Sequence, residues 1–197
     1  MQKLTTQIMA HAAQFSDGTA LSAKALLHLG NRAAIDQALS CLCERGELVR
    51  AGRGIYLVAM KGQFGSHSPT VEQAIEAVAQ QRGEIIVSNG AAAANSLGLS
   101  RQVPIRYIYY TSGRSRTMTI GSQTVELQHV SRWKLVLANK PAGVAVRALS
   151  WLGSERAEEA LPRIKRKLCT ESFKELVAAS PQLPSWLARI LGKAAHC

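Results

Sequence analysis

Thiols, imidazoles and carboxylates are the side chains with which a protein most readily does chemistry, and their spacing in this sequence argues against a reaction centre. Cys41 and Cys43 stand two apart, Cys169 and Cys197 stand alone, and none makes a CxxC pair of zinc spacing or a disulfide framework. Two residues apart on a helix means different sides, so the four are read as ordinary thiols of a reducing cytosol. Glu72 and Glu76 share a helical face and could take a divalent cation, but a solvated acidic face is the simpler account. Glu126, in TVELQH, lacks the acidic neighbour that a metal-dependent nuclease needs. His129 beside it suits a strand-end hydrogen bond better than a general base, and His67 has no ligand or nucleophile near it in sequence. A P-loop, a dinucleotide-binding glycine pattern, a GxSxG elbow and an HExxH pair are all missing. A protein without catalytic, metal-binding or cofactor-binding residues, and not an enzyme, is therefore expected.

A second set of residues has the types and order for reading nucleic acid: Lys24, Asn31, Arg32, Ala33, Gln37, Ser40, Arg50 and Arg53. Recognition helices present their first turns to base edges, where Arg32 could take a guanine and Gln37 an adenine. Asp36 is awkward among them, since a carboxylate is repelled by phosphate unless it accepts from a cytosine amino group or pairs with Arg32. Arg50 and Arg53 flank Gly52 and precede Gly54, so a tight hairpin would carry them at its tip, placed for phosphate or the minor groove.

The elements needed to position those residues can be read over 21–59. Leu4, Ile8, Ala12 and Phe15 recur at helical spacing and predict a first helix ended by Ser16-Asp17-Gly18. Ser22 can cap a second, short helix running to Leu29, with Ala25, Leu26 and Leu29 on its buried side. Gly30-Asn31 makes the turn, and Asn31 caps a third helix whose Ile35, Ala38, Leu39 and Leu42 fix the buried face. Strands at 48–50 and 55–58 enclose the turn Ala51-Gly52-Arg53-Gly54. Helix, turn, helix and basic hairpin in this order predict a winged helix-turn-helix over residues 1–62.

Residues 61–69, KGQFGSHSP, read as a linker. Beyond it the pattern predicts a mixed α/β domain over 69–153. It comprises a helix over 70–81, a short strand over 84–88, a helix over 90–97, strands over 105–111, 116–120 and 124–130, a further strand over 133–137 and a helix over 141–152 with Pro141 in its first turn. Residues 154–197 read as a helical basic tail broken by Pro181 and Pro184, with Arg163, Lys165, Arg166 and Lys167 on a solvated face that could extend a nucleic-acid footprint. The fold class expected is α+β.

The formal charge of +11 and the pI near 10 favour a polyanionic partner, nucleic acid before membrane. Counted by sequence, seven Lys/Arg stand against four Asp/Glu in residues 1–68, nine against four in 69–153 and eight against five in 154–197, an excess spread along the chain. No apolar run reaches transmembrane length and no signal-peptide segment opens the chain, so a cytoplasmic location and no membrane partner are expected.

The stretch AIDQALSCLCERGELVRAGRGIY, followed by SNGAAAANSLGLSRQVPIRYIYYTSGRSRTMTIG and VELQHVS, resembles the AbiEi-type antitoxins of type IV toxin–antitoxin systems and their short winged-helix relatives. The similarity covers about residues 21–153. It implies an antitoxin and autorepressor that binds inverted repeats in its own promoter on double-stranded DNA. Its functional partner would be a nucleotidyltransferase-like toxin, which need not be held in a stable complex. Cys41 departs from the basic residue that such relatives tend to carry in the third helix, and residues after 153 have no counterpart. Two other readings stand beside this one: a stand-alone winged-helix regulator whose second domain senses a ligand or partner, and a DNA-processing, nuclease-like enzyme.

Overall fold

The computed structural model describes residues 3–14, 20–62, 65–67, 69–102 and 105–195. Among them the chain is mixed α+β and divides into two compact units, one of Met1–Glu84 with Thr117–Val125 and one of Ile85–Arg116 with Glu126–Cys197. No helix among these residues is long and apolar enough to cross a membrane.

The first unit opens with α1 (Leu4–Ala12), whose Ile8 and Ala12 are buried. Phe15 and the Ser16-Asp17-Gly18 break lie outside the described residues. β1 (Ala20–Ser22) follows, where the start of a helix was expected. The segment after it makes successive three-residue turns instead of the predicted helix over 22–29, with Ala25 N–H donating to Ser22 O at 2.9 Å and Leu29 N–H to Leu26 O at 2.9 Å. Strand pairing takes the residues a helix would have used as its cap, and those left are too few to offset the cost of helix nucleation. Leu26 is still buried, but Ala25 is exposed.

α2 (Arg32–Glu44) has the predicted cap, the Asn31 side chain accepting from Ala34 N–H at 2.9 Å, and the predicted buried face of Ile35, Ala38, Leu39 and Leu42. β2 (Leu48–Gly52) and β3 (Ile55–Val58) form an antiparallel hairpin, and β1 pairs along the other edge of β3. α3 (Val71–Arg82) is held by a capping box between Thr70 and Gln73 and ends at Gly83, whose φ of 62° suits glycine. Its buried Val71, Ala74, Ile75 and Val78 pack against the three-stranded sheet, and Gln81 Nε2 donates to Ala20 O at 3.2 Å. This helix was expected to open the second domain; its apolar face belongs instead to the first. Between them, in the expected linker, the backbone pairs β4 (Met60–Gly62) with β5 (Gly65–His67).

In the second unit β6 (Ile86–Ser88) leads to α4 (Gly90–Ser96), capped by Asn89. β7 (Tyr107–Thr111), β8 (Arg116–Ile120) and β9 (Gln123–His129) complete a sheet of order β6-β7-β9-β8, of which residues 117–125, most of β8 and the start of β9, count with the first unit. The strand expected over 133–137 is a 3-10 turn, Arg132–Leu135, in which Lys134 N–H donates to Ser131 O at 3.0 Å. α5 (Pro141–Lys167) is interrupted at Gly153, with φ of 78°, where the sequence predicted its end, and a second helical run continues to Lys167. α6 (Thr170–Ala178) and α7 (Ser185–Ala195) follow. Ala142, Val146 and Leu149 share one core with Leu161, Ile164, Leu176, Leu187 and Leu191, so residues 154–195 are not a separate tail.

Two glycines permit this packing. A Cβ on Gly90 would stand 2.6 Å from Trp151 Cβ and 2.8 Å from Arg147 O, so α4 crosses α5 at backbone contact. A Cβ on Gly143 would collide with Leu137 O, which lies where the chain enters α5.

Candidate nucleic-acid interface

Burial of Ile35, Ala38, Leu39 and Leu42 leaves Arg32, Ala33, Gln37, Ser40 and Glu44 exposed on α2. The side chains of Arg32 and Asp36, one turn apart, form an ion pair with Nε to Oδ2 at 2.8 Å. Asn31 has its side-chain oxygen committed to the cap, which leaves its amide N–H groups free of that bond.

The hairpin beside this helix turns through Arg53-Gly54. Gly54 has φ of 72°, a conformation that costs glycine little, and the register shifts between Arg50 and Gly52. Arg53 is exposed at the turn, while Arg50 Nε reaches back to Gly52 O at 3.5 Å, a contact too long to hold it firmly. Gly54 O also accepts from Ala23 N–H at 3.0 Å, tying the tip of the hairpin to the turn that carries exposed Lys24. No local pattern signals that bond, because it joins backbone atoms 31 positions apart. Lys24, Arg32, Ala33, Gln37, Ser40, Arg50 and Arg53 are all exposed and lie in the first unit. A hollow of about 680 Å³ borders the hairpin and is lined by Arg50, Arg53, Cys43, Thr117 and Thr119 among others.

Cys41 and Cys43 are half-buried, and burial raises the Cys43 thiol pKa against a smaller opposing effect of Arg50. Burial likewise raises the Tyr56 hydroxyl, which lies opposite Arg50 in the hairpin. Neither group is tuned towards its reactive form.

Among the remaining chemical candidates, His129, Glu126 and Cys169 have hydrogen-bond partners. His129 N–H donates to Ser115 Oγ at 2.8 Å and its Nδ1 lies 2.8 Å from Gly113 O, an arrangement that holds the end of β9. Glu126 accepts from Gln128 Nε2 at 2.8 Å. Glu72 and Glu76 are exposed on α3. Cys169 is exposed, and its hydrogen bond with Ser172, at 3.2 Å, lowers its pKa. Cys197 lies outside the described residues, as does the His67 side chain. Among the described residues no three His, Cys, Asp or Glu side chains are grouped as a metal site would need.

The second unit holds a cleft of about 550 Å³ lined by Ser112, His129, Ser131, Arg132 and Gln182 with apolar Ile85, Leu135 and Val136. It also holds Arg147, which nothing in the helical pattern over 141–152 singles out. This guanidinium is 2% exposed, donates from Nη1 to Ala138 O at 3.1 Å, and keeps its buried Nε without a partner among the described residues. Burial lowers its pKa to about 10, with Tyr110 opposing the shift.

Fold and site together define an α+β protein of two compact units, the first exposing polar residues on a helix and a basic hairpin turn. The chain belongs to DUF6088, a family of unknown function whose profile matches residues 7–176. Neither the curated proteins nor the solved structures include a match to it.

Proposed function

We propose that this chain is a DNA-binding antitoxin and transcriptional autorepressor, binding inverted repeats in its own promoter. The observation that carries the DNA-binding part is the exposed face of α2, with Arg32, Ala33, Gln37 and Ser40, in one unit with a hairpin whose turn bears Arg53. The order helix, strand, turns, helix and hairpin supports reading the unit as a winged helix-turn-helix, with α2 in the major groove. Arg32 and Gln37 then face base edges, while Lys24, Arg50 and Arg53 meet phosphates. The antitoxin part rests on the resemblance through residues 89–104. The partner it implies is a nucleotidyltransferase-like toxin, acting in the cytoplasm.

Promoter binding is tested by titrating the full chain against a duplex from its own upstream region. Arg32→Ala is expected to cost about 1–3 kcal/mol on the operator and less on an unrelated duplex, as a base contact would. Arg53→Ala should weaken both duplexes alike and reduce the salt slope by about 1. Binding indifferent to both replacements would remove the residue assignment. Co-expression with the adjacent gene tests the antitoxin part, and failure to restore growth in the presence of a toxic neighbour would leave a regulator alone. That second reading, a regulator with a ligand-sensing second unit, is favoured by the cleft at Ser112, His129 and Arg132.

A further inference from the structure

Formal charge is not shared evenly between the two units. The first holds eight Lys/Arg and seven Asp/Glu, the second sixteen and six. Nearly all of the net +11 therefore belongs to the second unit, because α3 brings Glu72 and Glu76 to the first, with Glu84 just beyond it. Affinity for duplex DNA comes largely from phosphate neutralisation. A reading unit that is almost neutral supplies little of it.

We propose that the second unit carries a duplex-DNA backbone site of its own, built from the loop after α4 and the last turns of α5, with Arg101, Arg163, Arg166 and Lys167 as its phosphate contacts. The inference rests on the DNA-binding reading above and assigns the source of its affinity. The loop is a constructed element: Asn95 Nδ2 donates to Ser100 O at 3.3 Å and to Gln102 O at 3.0 Å, and Gln102 N–H donates to Ser100 Oγ at 3.1 Å. Gly98, with φ of 62°, lets the chain turn out of α4, and Leu99 N–H closes the turn on Ala94 O at 2.8 Å. Arg163 reaches from α5 to this loop, its Nη2 donating to Gly98 O at 2.8 Å, and Lys167 Nζ lies so close that a Cβ on Gly98 would be 2.8 Å from it. Arg101 projects from the same loop, and Arg166 is the neighbour of Lys167.

All four cations are exposed. The ion pairs of this unit among the described residues, Lys140–Glu175, Lys174–Glu171 and Lys193–Glu158, use none of them. Glu159, one turn before Arg163, is the carboxylate nearest in sequence on α5, and no Asp or Glu occurs from residue 85 to 125. The surrounding polar groups, Ser100 and Gln102, are of the kind that hydrogen-bond phosphate oxygens. An acidic protein partner would want an apolar centre between the charges. A single strand would want aromatic faces on which to stack, and residues 89–102 and 154–168 contain no aromatic residue. Charge without stacking groups fits the backbone of a duplex.

The test uses the full chain with Arg101→Gln, Arg166→Gln and Lys167→Gln combined, leaving Arg163 in place because it holds the loop. Fluorescence anisotropy against an upstream duplex and a scrambled duplex, over roughly 50–200 mM salt, gives the slope of log Kd on log salt. The combined variant should weaken binding to both duplexes by about the same factor and lower the slope by about 2–3. An unchanged slope in a chain that still binds the upstream duplex overturns this inference and leaves the DNA-binding reading intact. So does a loss confined to duplex RNA or to single strands. A wild-type chain with no affinity for any DNA duplex removes both. If the combined variant melts early, the charge-retaining set Arg101→Lys, Arg166→Lys and Lys167→Arg decides, since it must keep the wild-type slope and a reduced one overturns the proposal.

Discussion

Arg32 and Asp36 show how one contact changes the meaning of a residue. As a sequence, Asp36 is an obstacle to phosphate unless it accepts from a cytosine or pairs with Arg32; in the fold the two are partners at 2.8 Å, their side chains 57% and 47% exposed. An exposed pair of this kind is worth ~0.2–1 kcal/mol, small enough for a guanine to compete for the guanidinium. Asp36→Ala should therefore bind a scrambled duplex a few-fold more tightly, with the operator preference narrowed; equal affinity for both proteins on the scrambled duplex would show that the carboxylate does not bear on binding. Arg147 presents the opposite case, a charge that makes no exposed contact. Arg147→Met keeps the volume and removes the buried charge, so its Tm should equal or exceed wild type, whereas Arg147→Ala leaves a cavity and should cost about 2–4 kcal/mol. The sign of the pH effect follows from the depressed pKa. Below about 10 both folded and unfolded chains carry the charge and the burial cost stands. Above it the folded chain alone sheds the proton, so wild type should gain stability relative to Arg147→Met as pH rises from about 10 towards the ordinary arginine value. A constant difference across that range in paired melts would contradict it.

At the scale of elements, helices were legible where a long apolar period, a cap and a terminator agreed. Asn31, the Ile35-Ala38-Leu39-Leu42 stripe, Thr70 and Pro141 each mark a helix that the structure contains. The misreadings fall on short segments. Residues 23–29 form turns because β1 claims their start, and residues 132–135 form a 3-10 turn although Trp133, Leu135 and Leu137 alternate like a strand. An apolar alternation of five residues specifies no ladder unless a neighbouring strand offers one. The α4–α5 crossing is the element contact that a single atom can test. Gly90→Ala places a Cβ against Trp151 and the Arg147 carbonyl, and the backbone cannot yield cheaply. A loss of about 1–3 kcal/mol is expected despite the better helix propensity of alanine, read as a lower urea midpoint. A rise in the midpoint would show the crossing to be looser than described.

Over the whole molecule, the charge excess is what tertiary structure redistributes. Counted along the sequence it looks uniform; counted by unit it is concentrated in the second. Non-operator affinity is accordingly expected to depend more on Arg101, Arg166 and Lys167 together than on Arg50 and Arg53 together, which a pair of salt titrations compares. The reverse ranking would return the electrostatic role to the first unit. Stability is distributed differently from charge, since each unit has its own apolar core, one around Ile35, Leu39 and Leu42 and the other around Leu149, Ile164 and Leu187.

By itself the sequence determined the α+β class, the cap and buried face of α2, the basic hairpin, the break at Gly153, and three strands, read at 105–111, 116–120 and 124–130 and found at 107–111, 116–120 and 123–129. These depend on local period, on capping groups and on glycine's access to positive φ, all of which are encoded within a few residues. Only the tertiary structure decided that α3 packs with the first unit, that residues 154–195 share a core with 142–149, that Arg147 is buried, and that Arg163 reaches Gly98. Each of these joins residues distant along the chain. An amphipathic helix declares that it has a face to bury, but which surface covers that face is settled by the free energy of the assembled core.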